Sequence, residues 1–308
     1  MEKMNVIYGP VPSRRLGISL GISPIPKKTC NYSCVYCQLG RTDHMTNTRQ
    51  MFFDLDHILA EFREFLKKDV PFDVVTIVGE GEPTLYLGLG ELIEQVSALT
   101  DRPVAVITNG ALLYDEAVRR ELSLADLVLP TLDAFDEGMF KSINRPHGEL
   151  EFQRVLDGLI RFAREYKGQL LLELMLIKGV NDDDASLEHY RQLLRQISYD
   201  RLYINTPVRP PAEEGVAAVD PETMQRAVET LGGISIDLLE SSGFHSEIQD
   251  DGEAIMSIIK RHPMNQHEIE SFLKGRGRKD PGDLMDQLRR EPAIAVIQYK
   301  GYETFRLK

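Results

Sequence analysis

The chain has 308 residues, of which 42% are hydrophobic, with three cysteines, no tryptophan and a net charge of −12. That hydrophobic share over that length buries a sizeable core and excludes a disordered or fibrous protein. No run approaches eighteen apolar residues, which excludes a membrane-spanning helix, and the acidity makes most of the surface a poor generic binder of nucleic-acid phosphate.

In chain order, residues 1–26 carry charges and prolines but no apolar signal core, so a cytoplasmic protein without a secretory leader is expected. Arg14 and Arg15 precede a first predicted strand at 17–25, which leads into the three cysteines. Further β-branched or leucine-rich runs predict strands at 74–78, 104–108, 127–132, 170–177 and 202–206. Between them, apolar residues at helical spacing predict helices at 56–67, 89–98, 115–122, 152–166 and 185–197. Strand and helix alternate, which predicts βαβ units and a parallel sheet. In parallel barrels the chemistry sits on the loops at the carboxyl ends of the strands. Those loops hold Gly79-Glu80-Gly81-Glu82-Pro83-Thr84, then Asn109-Gly110, then Asp133, then Asn205 with Arg209 between prolines; Arg145 lies in the Ile143-Asn144-Arg145-Pro146-His147 segment. Asn109-Gly110 also reads as a turn, Asp133 as a helix cap and Arg209 as a surface side chain. Arginines 14, 15, 145 and 209 on an acidic body are candidate anchors for an anionic substrate.

The tail changes pattern. Residues 252–308 hold 11 Lys and Arg against 8 Asp and Glu, leaving 25 against 40 in residues 1–251. The break divides the chain into domains 1–250 and 251–308. Within the second, helices are predicted at 252–261, 266–273 and 280–290, the last opened by Asp280-Pro281, and a hairpin joins 293–299 to 302–307 across Lys300-Gly301. Three helices and a hairpin follow the order of a winged helix, a module that docks on DNA or on protein. The basic run from Lys274 to Lys279 reads either as a phosphate contact or as a solvated loop. The tail is expected to dock on the barrel or on a macromolecular partner and to contribute no group to catalysis.

All three cysteines lie within eight residues, Cys30-x3-Cys34-x2-Cys37. An odd count in a long chain argues against a disulfide framework and for a metal site in a reducing compartment. Zinc needs a fourth ligand from elsewhere, whereas three thiolates suit a [4Fe–4S] cluster with one iron left open. This spacing, with the aromatic Tyr36 before the last cysteine, resembles the signature of the radical S-adenosylmethionine (SAM) superfamily. The resemblance implies a partial (β/α)6 barrel of parallel strands. It also implies a [4Fe–4S] cluster on Cys30, Cys34 and Cys37 whose open iron chelates SAM, and an external electron donor of flavodoxin or ferredoxin type. SAM is then cleaved to a 5′-deoxyadenosyl radical that abstracts hydrogen from substrate. Gly81 and Glu82 resemble the family's Gly-Gly-Glu-Pro element, which implies contact with the SAM amino group. Tyr36, Asn109, Asp133 and Asn205 fall where the family meets the rest of SAM.

Segments 9–17, 28–40 and 143–147 further resemble a group related to wyosine synthases. A transfer-RNA-modifying enzyme of that type carries extra cysteines for a second cluster and a basic surface, and this chain has neither. No glycine-rich dinucleotide or Walker motif supports NAD, flavin or ATP. The competing class is an iron–sulfur redox sensor using the tail to bind nucleic acid; such a sensor has no need of Glu82, its flanking glycines or the strand alternation.

Overall fold

The protein is described here from a computed structural model, which covers residues 6–236, 244, 246, 248–260, 262–278, 280–299 and 301–308. Among them an eight-stranded sheet runs in the order β1-β2-β5-β6-β7-β8-β9-β10. Its members are β1 (Ile7–Ser13), β2 (Gly17–Ile22), β5 (Val74–Ile77), β6 (Val104–Thr108), β7 (Leu127–Pro130), β8 (Gln169–Met175), β9 (Arg201–Asn205) and β10 (Ile234–Ser235); the short β3 (Thr29–Cys30) and β4 (His44–Met45) pair separately. From β2 to β10 every neighbouring pair is parallel. Val74, Val75, Thr76 and Ile77 are all buried, the continuous apolar run expected of a strand covered on both faces.

The six predicted strands are β2 and β5 to β9, and the sheet adds one at each edge. β1 is antiparallel to β2 with a register break between Tyr8 and Val11. Its Pro10 and Pro12 cannot donate to a ladder, so an edge is the position that tolerates them. The strand runs opposite to the βαβ series, so alternation gave no signal for it.

Helices α1 (Leu55–Leu66), α2 (Leu89–Leu99), α3 (Glu116–Leu122), α4 (Glu137–Ile143), α5 (Phe152–Glu165), α6 (Asp184–Leu194) and α7 (Pro221–Leu231) connect the strands. α1 buries Leu55, Ile58, Leu59, Phe62 and Phe65, the one-face spacing of an amphipathic helix. Asp115, Asp136, Asp183 and Asp220 accept backbone N–H bonds at the starts of α3, α4, α6 and α7. α4 and α7 lie outside the helices expected from sequence.

The C-terminal unit holds α8 (Asp251–Ile259), β11 (Met264–Asn265), α9 (Gln266–Gly275), α10 (Gly282–Arg290), β12 (Ile294–Tyr299) and β13 (Tyr302–Leu307), with sheet order β11-β13-β12. It has its own core of Ile255, Ile259, Phe272, Leu273, Leu288 and Phe305 among others, with Phe244 and Ile248 packed against it. The predicted positions Arg261, Lys279 and Lys300 lie outside the described residues. The two arginines of the basic run are engaged within the C-terminal unit. Arg276 donates to Asp251 and to the carbonyls of Ser246, Ile248 and Gln249, and Arg278 pairs with Asp251. Those bonds tie α9 to the start of α8 and occupy both guanidiniums.

The tail also meets the barrel. α8 packs on β1. Tyr299 OH donates to the Pro207 carbonyl at 2.5 Å, and Arg306 Nη1 reaches the carbonyls of Gln38, Pro210 and Pro211 at 3.4–3.5 Å.

Candidate active site

Cys30 ends β3, which β4 clasps in parallel, and Thr46 N donates to Cys30 O at 3.1 Å. The next turn leans on the end of α4: Ser33 N donates to Asn144 O at 3.0 Å and Val35 N to Ile143 O at 2.9 Å. α4 therefore sets where Cys34 stands.

Gly81 brings the loop after β5 against this segment. A Cβ there would overlap the Thr29 carbonyl oxygen, and Glu82 N donates to that same oxygen at 3.1 Å. Only glycine permits so close an approach. The three thiols, Gly81, Glu82, Asn109, Asp133 and Asn205 together line one cavity of about 360 Å³ at the carboxyl ends of the strands.

Two carboxylates organise its floor. Glu82 Oε1 accepts from Thr84 N at 3.0 Å and from the hydroxyls of Thr84 and Thr108 at 2.6 Å each, while Oε2 accepts from Asn109 N at 2.7 Å. Burial pushes its pKa up and these donors oppose the rise. Oε1 is saturated, whereas Oε2 has one donor and keeps accepting capacity. Asp133 Oδ2 accepts from Tyr36 OH and from Asn144 Nδ2, and Oδ1 from Met175 N. Burial is the main force raising Asp133 to about 6, and Glu173 adds to it.

Each thiol is pushed up in pKa, chiefly by burial, and a cationic ligand would offset the cost of ionising it. The sulfurs are met by N–H donors: Tyr32 N to Cys30 at 3.4 Å, Asn109 Nδ2 to Cys30 at 3.7 Å and Asn144 Nδ2 to Cys34 at 3.5 Å. Among the described residues no three His, Cys, Asp or Glu side chains gather about one ion. Three thiols lining one cavity, two of them met by amide donors, fit a group that takes each thiolate on a different metal atom.

The sequence missed Asn31 and Asn144, which carry this network: Asn109 Nδ2 donates to Asn31 Oδ1 at 2.7 Å, and Asn144 links Asp133 to Cys34. Asn205 donates to Glu173 at 3.2 Å, and Arg15 pairs with the same carboxylate. The candidate anchor Arg145 is engaged elsewhere. It has φ of 47° and pairs with Glu213 at 2.5 Å, which Arg41 also holds, and it does not line the cavity. Arg41 and Arg145 together hold Glu213 down to about 2. Nor is Arg209 a free rim side chain, because it donates to Pro263 O and His262 Nε2 of the tail while still lining the cavity.

The family model described as "Radical SAM superfamily" matches residues 25–190. The chain belongs to the radical SAM superfamily. It is 34% identical over 309 residues to a UPF0026 protein of Methanocaldococcus jannaschii, covering 97% of this chain and 94% of that one. It is 38% identical over 274 residues to a protein of Brachyspira hyodysenteriae named GTPase Obg, of which it spans 40% and by which 87% of it is covered. A GTP 3′,8-cyclase of Lactiplantibacillus plantarum is 30% identical over 161 residues, 51% of this chain and 45% of that one. Among solved structures, a radical SAM methyltransferase from Sphaerobacter thermophilus matches with TM-score 0.55 at 17% identity, covering 71% of this chain and 68% of that one. The structure of anSMEcpe with bound AdoMet matches with TM-score 0.52 at 18% identity, covering 70% and 59%. Those likenesses show the barrel-type fold. The family makes the chain a radical SAM enzyme and implies an iron–sulfur cluster and SAM.

Proposed function

We propose that Cys30, Cys34 and Cys37 hold a single [4Fe–4S] cluster and that the adjoining cavity binds SAM for reductive cleavage. Held by these three cysteines, such a cluster would supply the one-electron reduction by which SAM is cleaved to start hydrogen abstraction from a substrate. The observation that carries this reading is the convergence of three thiols and Glu82 on one cavity at the ends of parallel strands. Glu82 Oε2 accepts from the SAM ammonium, beside backbone that Gly81 lets come close. Asn109, Asp133 and Asn205 accept or donate to the ribose hydroxyls and the carboxylate. Tyr36 holds Asp133 in place from the cluster loop.

The C-terminal residues 251–308 form a winged-helix-like domain docked on the barrel. With the arginines of the basic run engaged by Asp251 and backbone carbonyls, a nucleic-acid sensor loses its contact surface. The enzyme works in the cytoplasm with a flavodoxin or ferredoxin type donor.

Anaerobically purified protein is expected to hold about four iron and four sulfide per chain, and Cys30→Ala, Cys34→Ala or Cys37→Ala to hold none. One zinc per chain without sulfide contradicts the proposal.

A further inference from the structure

Behind the cysteine-lined cavity lies a second chamber of about 240 Å³, and the two share Arg15, Gln38, Glu80, Asn205 and Arg209 in their walls. The sheet has its open edges at β1 and β10. Pro12 and Ser13 of β1 line the chamber on one side and Ile236, just past β10, on the other, so it lies in the gap of the incomplete barrel. The tail covers that gap. α8 packs on β1, and His262 enters the chamber wall, held by Arg209 Nη2 at 2.6 Å.

Arg14, Arg15 and Arg209 all line this chamber. Glu173 pairs with Arg15 from the shared side, Glu268 lies 3.4 Å from Arg209, and Glu80 also lines the chamber and acts on Lys27 through its charge. His262, the fourth basic side chain, accepts from Arg209 through Nε2 and so is neutral; burial, then the three guanidiniums, push its pKa well down. A body with a strong acidic excess has thus gathered three guanidiniums, two of them paired with carboxylates, around one small half-open space. Like charges so placed repel each other, and a guanidinium fork matches the two oxygens of a carboxylate or phosphate. The volume suits the head of a small molecule and is too small for a nucleic-acid duplex.

We propose that this chamber binds the oxyanion of a small organic substrate, a phosphate or carboxylate, and that the C-terminal unit completes the subsite through His262. The inference rests on the proposed function, since the shared wall places the remainder of such a molecule beside the cysteine-lined cavity.

The test uses the reconstituted full-length holoenzyme titrated with inorganic phosphate and, separately, acetate, with chloride replacing each at constant ionic strength. Melting temperature and uncoupled 5′-deoxyadenosine formation are followed together. A saturable rise in melting temperature with phosphate, with acetate or with both is expected, and which anion acts assigns the group. Arg14→Gln is expected to weaken that binding about tenfold or more. Arg15→Lys, which keeps a charge opposite Glu173, is expected to weaken it as well. Equal rises in wild type and both variants, or no rise with either anion, overturn the subsite. If deoxyadenosine still forms in that case, the proposed function stands and only the chamber has been misassigned.

Discussion

Glu82 joins two roles in one side chain. With Oε1 filled by Thr84 and Thr108, it knots the loop after β5 to the end of β6, and Oε2 is left to the cavity. A purely SAM-directed role, the reading its motif invites, therefore omits half of its work. Glu82→Ala is expected to lower SAM affinity about tenfold or more and also to lower stability, because each buried donor left without an acceptor costs about 1–3 kcal/mol. Urea unfolding and a SAM titration read the two effects separately, and unchanged stability would show that the knot is not needed. Asn144 was hidden in the sequence beside Arg145, whose charge drew attention to the wrong neighbour. Its N–H meets Cys34 Sγ at 3.5 Å, and hydrogen bonds to sulfur raise cluster potentials. Asn144→Ala is expected to keep its iron and to show a lower midpoint potential in an EPR-monitored titration; an unchanged potential would remove Asn144 from the cluster's surroundings. The cysteines were singled out by their spacing, and the Gly81-Glu82 pair by its place after a strand together with the family resemblance. The asparagine network was not, since single amides in loops leave no periodic trace.

Among elements, the alternating strands and helices could be read because parallel strands and amphipathic helices carry periods of their own. α7 also had signals, with Asp220 as cap, Pro221 in the first turn and Gly232 at φ of 73° closing it. α4, only seven residues long, buries Phe140 and Ile143 and is too short for an amphipathic pattern to stand out. Docking of the tail on the barrel was among the expectations, but the residues of the seam were not legible, since its contacts pair residues far apart in sequence. His262 gives that seam a pH dependence. Its folded pKa lies below the unfolded value of about 6.5. The stability it permits is therefore present above about pH 6.5 and is lost as pH falls toward its folded value, by at most about 1.4 kcal/mol per pH unit. Denaturant unfolding across that range should show the loss in wild type and a flatter profile in His262→Gln, whose amide oxygen still accepts from Arg209. Parallel profiles would mean that His262 is not the titrating group.

For the whole molecule, charge and composition said little about chemistry but placed the change of pattern near residue 250, close to where a second hydrophobic core begins. The tail, expected to dock on the barrel or on a macromolecular partner and to contribute no group to catalysis, comes close to the site. Arg306 reaches the carbonyl next to Cys37, and His262 lines a chamber continuous with the cysteine-lined cavity. Among the described residues no helix is long and apolar enough to cross a membrane. Everything else converges on one cavity, where the cysteine loop, the loop after β5 and the ends of β6 and β9 meet. The most direct test of that convergence is to reconstitute the protein anaerobically, reduce it with dithionite, add SAM and measure 5′-deoxyadenosine. The account predicts that 5′-deoxyadenosine accumulates with the wild-type protein and not with Cys34→Ala. A fully loaded, reducible cluster that leaves SAM intact would contradict it.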